Sequence, residues 1–99
     1  MRVRLGATHY EVRRVKNVLL AVQSKHPDER DPMEGYIRDG KIYIEKGTPE
    51  EEAERFFHEC CHTAVHGVDE EKEEAIVRHL ADNLVPLLWR QGWRPFGGG

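Results

Sequence analysis

The stretch Phe56-Phe57-His58-Glu59-Cys60-Cys61-His62-Thr63-Ala64-Val65 sets two histidines four residues apart, with a glutamate directly after the first. On a helix such histidines lie about 40° apart, with Cβ atoms roughly 5–6 Å from one another. Two imidazoles so placed can converge on one ion at the ~2.0–2.1 Å of a zinc–nitrogen bond. Glu59 stands about 100° further round, beside such an ion rather than on it. From there its carboxylate can take a proton from an activated water.

Helical phase separates the motif into faces. With His58 at 0°, the residues Ala53, Phe56, Phe57, Cys60 and Ala64 fall between about 160° and 260°, an apolar arc that reads as the core face. His58, His62 and His66 lie at about 0°, 40° and 80°, on the other side. Cys60 points into the core arc and Cys61 onto its flank, so both read as small buried hydrophobes rather than ligands. As neighbours on a helix they diverge by about 100°, which is poor geometry for a disulfide.

A metal that does chemistry usually takes three protein ligands and keeps one position for water. The run Asp69-Glu70-Glu71-Lys72-Glu73-Glu74 offers the third. Most of these side chains belong to an ordinary acidic first turn. If the chain reverses near Val68, His62 lies six residues before the turn and Glu74 six after it, so the two come level in an antiparallel pair. Glu70 would instead be level with His66. Glu74 is the preferred ligand, with Glu73 and Glu70 as alternatives.

The elements that must hold these residues can be read in turn. Val3 and Leu5 alternate with arginines, Gly6-Ala7-Thr8 can turn, and Tyr10 and Val12 resume the alternation, which predicts a hairpin over residues 2 to 15. Val15, Val18, Leu19 and Val22 follow helical spacing. Residues 25 to 35, with two prolines and many charges, read as a surface loop. Asp39-Gly40 between two β-rich runs signals a second hairpin, whose second run is Ile42-Tyr43-Ile44.

Thr48, Pro49 and Glu51 spell out a capped helix start. This helix should reach about His66 and stop at Gly67. Asp69 can cap the next helix, whose apolar stripe is Val77, Leu80, Ala81, Leu84, Leu87 and Leu88. Pro86 is expected to kink that helix and Gly92 to end it. Trp89 and Trp93 are expected to close the core. The fold class is α+β: a small antiparallel or mixed sheet packed on the histidine helix and a C-terminal helix.

With 99 residues the chain reads as a single domain, residues 1–99, with 96–99 a flexible tail. A formal net charge of −3 gives no reason to expect nucleic-acid binding. The N-terminal arginines read as a solvated face. No apolar run approaches the ~20 residues of a membrane span, and the N-terminus carries no apolar signal region. The expectation is a soluble, cytoplasmic protein without membrane partners.

His58-Glu59-Cys60-Cys61-His62, followed by Glu74-Ala75-Ile76-Val77-Arg78-His79-Leu80-Ala81, resembles the two signature segments of the gluzincins. It is most similar to the small ImmA/IrrE-like metallopeptidases of phages and mobile elements, whose second segment carries glutamate, a small apolar residue three later, then an apolar–alanine pair. Val77, Leu80 and Ala81 fit this pattern only when Glu74 is the glutamate.

The resemblance covers roughly residues 35 to 93. It implies a minimal zincin-like fold in which His58, His62 and Glu74 bind zinc and Glu59 is the general base. It also implies that a protein or peptide substrate adds along an edge strand at 41–45. Cysteines between the motif histidines depart from the family pattern, and the spacing to the glutamate is very short. For stabilising the transition state the candidates are His66, Tyr43 and His79. The activity expected is zinc-dependent peptide-bond hydrolysis. The competing expectation is a non-catalytic zinc module that docks a partner protein.

Overall fold

A computed structural model of the chain describes residues 1–65 and 67–97. Its class is α+β, with a four-stranded mixed sheet and three helices, in the order β1 (Arg2–Leu5), β2 (Thr8–Val15), α1 (Val18–Gln23), β3 (Gly35–Arg38), β4 (Lys41–Glu45), α2 (Pro49–Ala64) and α3 (Glu70–Arg90). The chain divides into two compact units, Met1–Lys46 and a second that begins at Gly47.

The first unit holds the sheet, ordered β1-β2-β4-β3. Both expected hairpins form: β1 pairs antiparallel with β2, and β3 with β4. In the second hairpin Asp39 and Gly40 both have positive φ, 53° and 74°, the combination a tight two-residue turn demands and Asp-Gly supplies at little steric cost. β2 runs parallel to β4, placing Val12 beside Ile42 and Arg14 beside Ile44. Parallel neighbours need a long crossover, and α1, the loop after it and β3 provide one.

Two expectations change here. Val15 belongs to β2, where it lies opposite Glu45. The helix begins three residues later, because Asn17 caps it by accepting a hydrogen bond from the Leu20 backbone N–H at 3.0 Å. The strand at 41–45 is not an edge: β4 pairs with β2 on one side and β3 on the other, so its backbone is committed and cannot receive an added peptide strand. Its successive residues Ile42, Tyr43 and Ile44 are all buried, the pattern of an interior strand covered on both faces. Tyr43 packs with Val18 and Val22 in the core of this unit.

The second unit is a helical hairpin with a returning C-terminal segment. The Thr48 hydroxyl accepts from the Glu51 N–H at 3.2 Å, and the Glu51 carboxylate accepts from the Thr48 N–H at 2.9 Å, a complete capping box ahead of Pro49. Asp69 caps α3 by accepting from the Lys72 N–H. α2 ends at Ala64, and the expected terminus at His66 lies outside the described residues.

α3 is continuous through Pro86 and buries Val77, Ala81 and Val85. Leu84 and Leu87, expected in the stripe, are exposed instead. The helix presents a narrower seam, spaced four residues apart, than the alternation of threes and fours in the sequence suggested. On α2 the buried residues are Glu52, Ala53, Phe56 and Glu59, whereas Ala64, also expected inside, is exposed.

The end of α3 redirects the chain. The Trp93 N–H donates to the Leu88 carbonyl and the Gly92 N–H to the Trp89 carbonyl, both at 3.0 Å, a Schellman closure with Gly92 at φ 94°. The turn returns the chain onto α2: Trp93 meets Phe57 edge-on at 6.0 Å and Phe96 meets Phe56 at 5.3 Å. Arg94 stacks over Trp89, 3.6 Å from the ring centroid. Phe96 therefore belongs to the packed unit rather than to the tail expected at 96–99, and residues 98–99 lie outside the described residues.

No atom lies within 4 Å of a Cβ placed on Gly92, so substitution there strains only the backbone. Gly92→Ala should cost about 1–2 kcal/mol, measured as a lower urea midpoint with an unchanged slope.

Candidate metal centre

The capping box fixes where α2 begins, and helical spacing then brings His58 and His62 to one face, ring centroids 5.0 Å apart. One ligand atom from each of His58, Glu59 and His62 lies within 4.8 Å of the others, a His-Glu-His group within metal-binding distance. Across the turn, the Asp69 cap sets the register of α3. Glu74 Oε1 is 3.0 Å from His58 Nε2 and Glu74 Oε2 is 3.0 Å from His62 Nε2. The sequence register had placed Glu74 level with His62; its carboxylate spans both histidines.

The donor set fits a divalent ion. Two imidazole nitrogens and a carboxylate are common ligands for such an ion, and bonds of ~2.0–2.1 Å in a tetrahedron separate ligand atoms by about 3.3 Å. The two 3.0 Å separations run to different oxygens of Glu74, one to each histidine, so in the metal-free chain the carboxylate bridges the rings as an ion pair. His58 and His62 are half-buried.

The two alternative ligands fall elsewhere. Glu73 Oε2 lies 2.8 Å from His62 Nδ1, the nitrogen turned away from Glu74. Glu70 is exposed and lines an open face of α3 together with Glu71, Glu74, Arg78, His79 and Asp82. Of the candidates for transition-state stabilisation, Tyr43 belongs to the core of the first unit and His66 lies outside the described residues. His79 is exposed on the same open face, its ring near Asn83.

Arg78 was not singled out in the sequence, yet its guanidinium is 3.7 Å from Glu74 Oε1. The Glu–Arg spacing of four residues on a helix was the available signal.

Glu59 departs from the face reading. Placed by phase alongside the histidines and away from the core, it is only 7% exposed. Burial disfavours its charge and pushes its carboxyl from 4.5 up to about 7; His62 opposes the rise and Glu74 adds to it. The cysteines, expected to be buried, are less enclosed than that. Both are free and half-buried, and burial holds the Cys60 thiol up at about 12 and raises that of Cys61.

The Glu59 environment has a consequence for stability. Unfolded, this carboxyl ionises from about pH 4.5; folded, it holds its proton to about pH 7. The Glu59 contribution to stability is therefore greatest below pH 4.5, falls as pH rises to 7 and is level above it, a difference of about 3 kcal/mol at ~1.4 kcal/mol per pH unit. In metal-free protein Glu59→Gln should exceed wild type by up to about 3 kcal/mol at pH 8, with the gap closing near pH 4. Urea unfolding at the two pH values checks this, and a pH-independent gap would refute it.

No helix among the described residues is long and apolar enough to cross a membrane. Of the family models, curated proteins and solved structures compared with this chain, none matches it.

Proposed function

We propose that the chain is a zinc-dependent peptidase of the minimal gluzincin, ImmA/IrrE-like kind, hydrolysing peptide bonds in a protein or peptide substrate. The observation that carries this reading is a division of labour among carboxylates. Glu74 lies 3.0 Å from both histidine Nε2 atoms, while Glu59 stands buried beside them, with a carboxylate oxygen within 4.8 Å of a ring nitrogen of each.

His58, His62 and Glu74 are the three zinc ligands. Zinc at this position supplies Lewis-acid activation of a water and of the scissile carbonyl. Glu59 accepts the water's proton on its carboxylate and returns it to the departing amine. Its carboxyl, at about 7 in the metal-free chain, is tuned to hold and release a proton near neutral pH, and it ionises more readily beside a dication. We place this activity in the cytoplasm, a reading compatible with Cys60 and Cys61 being free.

The test is metal analysis followed by peptide hydrolysis. Wild type should hold one zinc per chain, and His58→Ala should lose it. Glu59→Gln should keep the metal while hydrolysis falls by at least ~100-fold, within the usual range for removing a general base. Absence of zinc from folded protein rules the proposal out. Full zinc with no hydrolysis in wild type would leave the non-catalytic zinc module that docks a partner.

A further inference from the structure

We infer that Glu73 is a positioning residue that holds the His62 ring in the one tautomer and orientation able to bind metal. This rests on the proposed metal centre but concerns a residue outside its ligand set. Glu73 Oε2 and Glu74 Oε2 approach opposite nitrogens of one ring, at 2.8 Å from Nδ1 and 3.0 Å from Nε2.

An ionised carboxylate only accepts hydrogen bonds, so the Glu73 contact requires the proton on Nδ1. In a neutral imidazole that leaves the lone pair on Nε2, directed at the place where His58 Nε2 and Glu74 meet. Without Glu73 the neutral ring has a second tautomer, protonated on Nε2, that cannot ligate there. It also has freedom to turn about its side-chain bonds.

The arrangement follows from helix geometry. Residues 73 and 74 diverge by about 100° on α3, so adjacent carboxylates can straddle a side chain presented from the facing helix. His62 is that side chain. Its own exposure is 18% and that of Glu73 is 29%, so the contact is only partly screened by water. Outer carboxylates on ligating histidines typically contribute 10- to 100-fold in metal affinity.

Two measurements on the full chain test this: zinc affinity by competition with a chromophoric chelator, and nitrogen-detected proton NMR of the His62 ring in metal-free and zinc-loaded protein. Glu73→Ala should weaken zinc binding by about 10-fold or more and remove the long-lived Nδ1 proton of His62. Glu73→Gln, whose amide oxygen still accepts from Nδ1, should recover most of both. Circular dichroism verifies that each variant is folded; if Glu73→Ala is not, Glu73→Met, of similar size and without an acceptor oxygen, carries the same comparison.

Zinc affinity in Glu73→Ala equal to wild type overturns the inference. So does a wild-type His62 ring with no proton on Nδ1. If wild type takes up no zinc, the metal-centre reading fails by itself, and loss of the long-lived Nδ1 proton on Glu73→Ala in metal-free protein still decides whether Glu73 fixes the ring.

Discussion

The carboxylate of Glu74 reaches Nε2 of both His58 and His62 at 3.0 Å, and the arrangement of the polar cluster in the second unit depends on that contact. It ties two turns of α2 to the first turns of α3 across a short reversal. Around the two imidazoles stand three carboxylates, Glu59, Glu73 and Glu74, with the Arg78 guanidinium 3.7 Å from Glu74. Such a cluster is short of positive charge. The raised carboxyl of Glu59 is the local symptom, since burial and the Glu74 charge both resist its ionisation. A bound dication would relieve the same imbalance.

The contact needs both helices in register, and the supporting features are local and inexpensive. A capping box begins α2 and an aspartate cap begins α3. The Schellman closure at Gly92 then turns the chain so that Trp93 and Phe96 lie against Phe57 and Phe56. Those aromatic contacts occupy the arc of α2 away from the histidines. Together they hold the helix by its apolar side, while His58 and His62 stay half-buried on the other.

Much of this was legible in the residues because the signals are short-range. The two hairpin turns, the Thr48 and Asp69 caps and the Gly92 stop all depend on side chains within three or four residues of the groups they satisfy. The misreadings were of another kind. Val15 has the spacing of the helix but the pairing of a strand, and Asn17 was the overlooked boundary. The Ile42-Tyr43-Ile44 run reads as a good strand whether edge or interior; its interior position follows from the parallel pairing with β2, between residues thirty positions apart. Leu84 and Leu87 fit the helical period as well as Val85 does, and only the packing selects the rotation.

By itself the sequence determined that two histidines share a helix face, that a glutamate adjoins them, and that a capped second helix returns with Glu74 near their level. These follow from 3.6 residues per turn and from caps, which act locally. Only the tertiary structure decided that Glu74 bridges both rings, that Glu73 takes the far nitrogen of His62, and that Glu59 is buried enough to hold its proton to about pH 7. Those outcomes depend on distances of an ångström between helices and on exclusion of water, and no spacing along one chain segment encodes either.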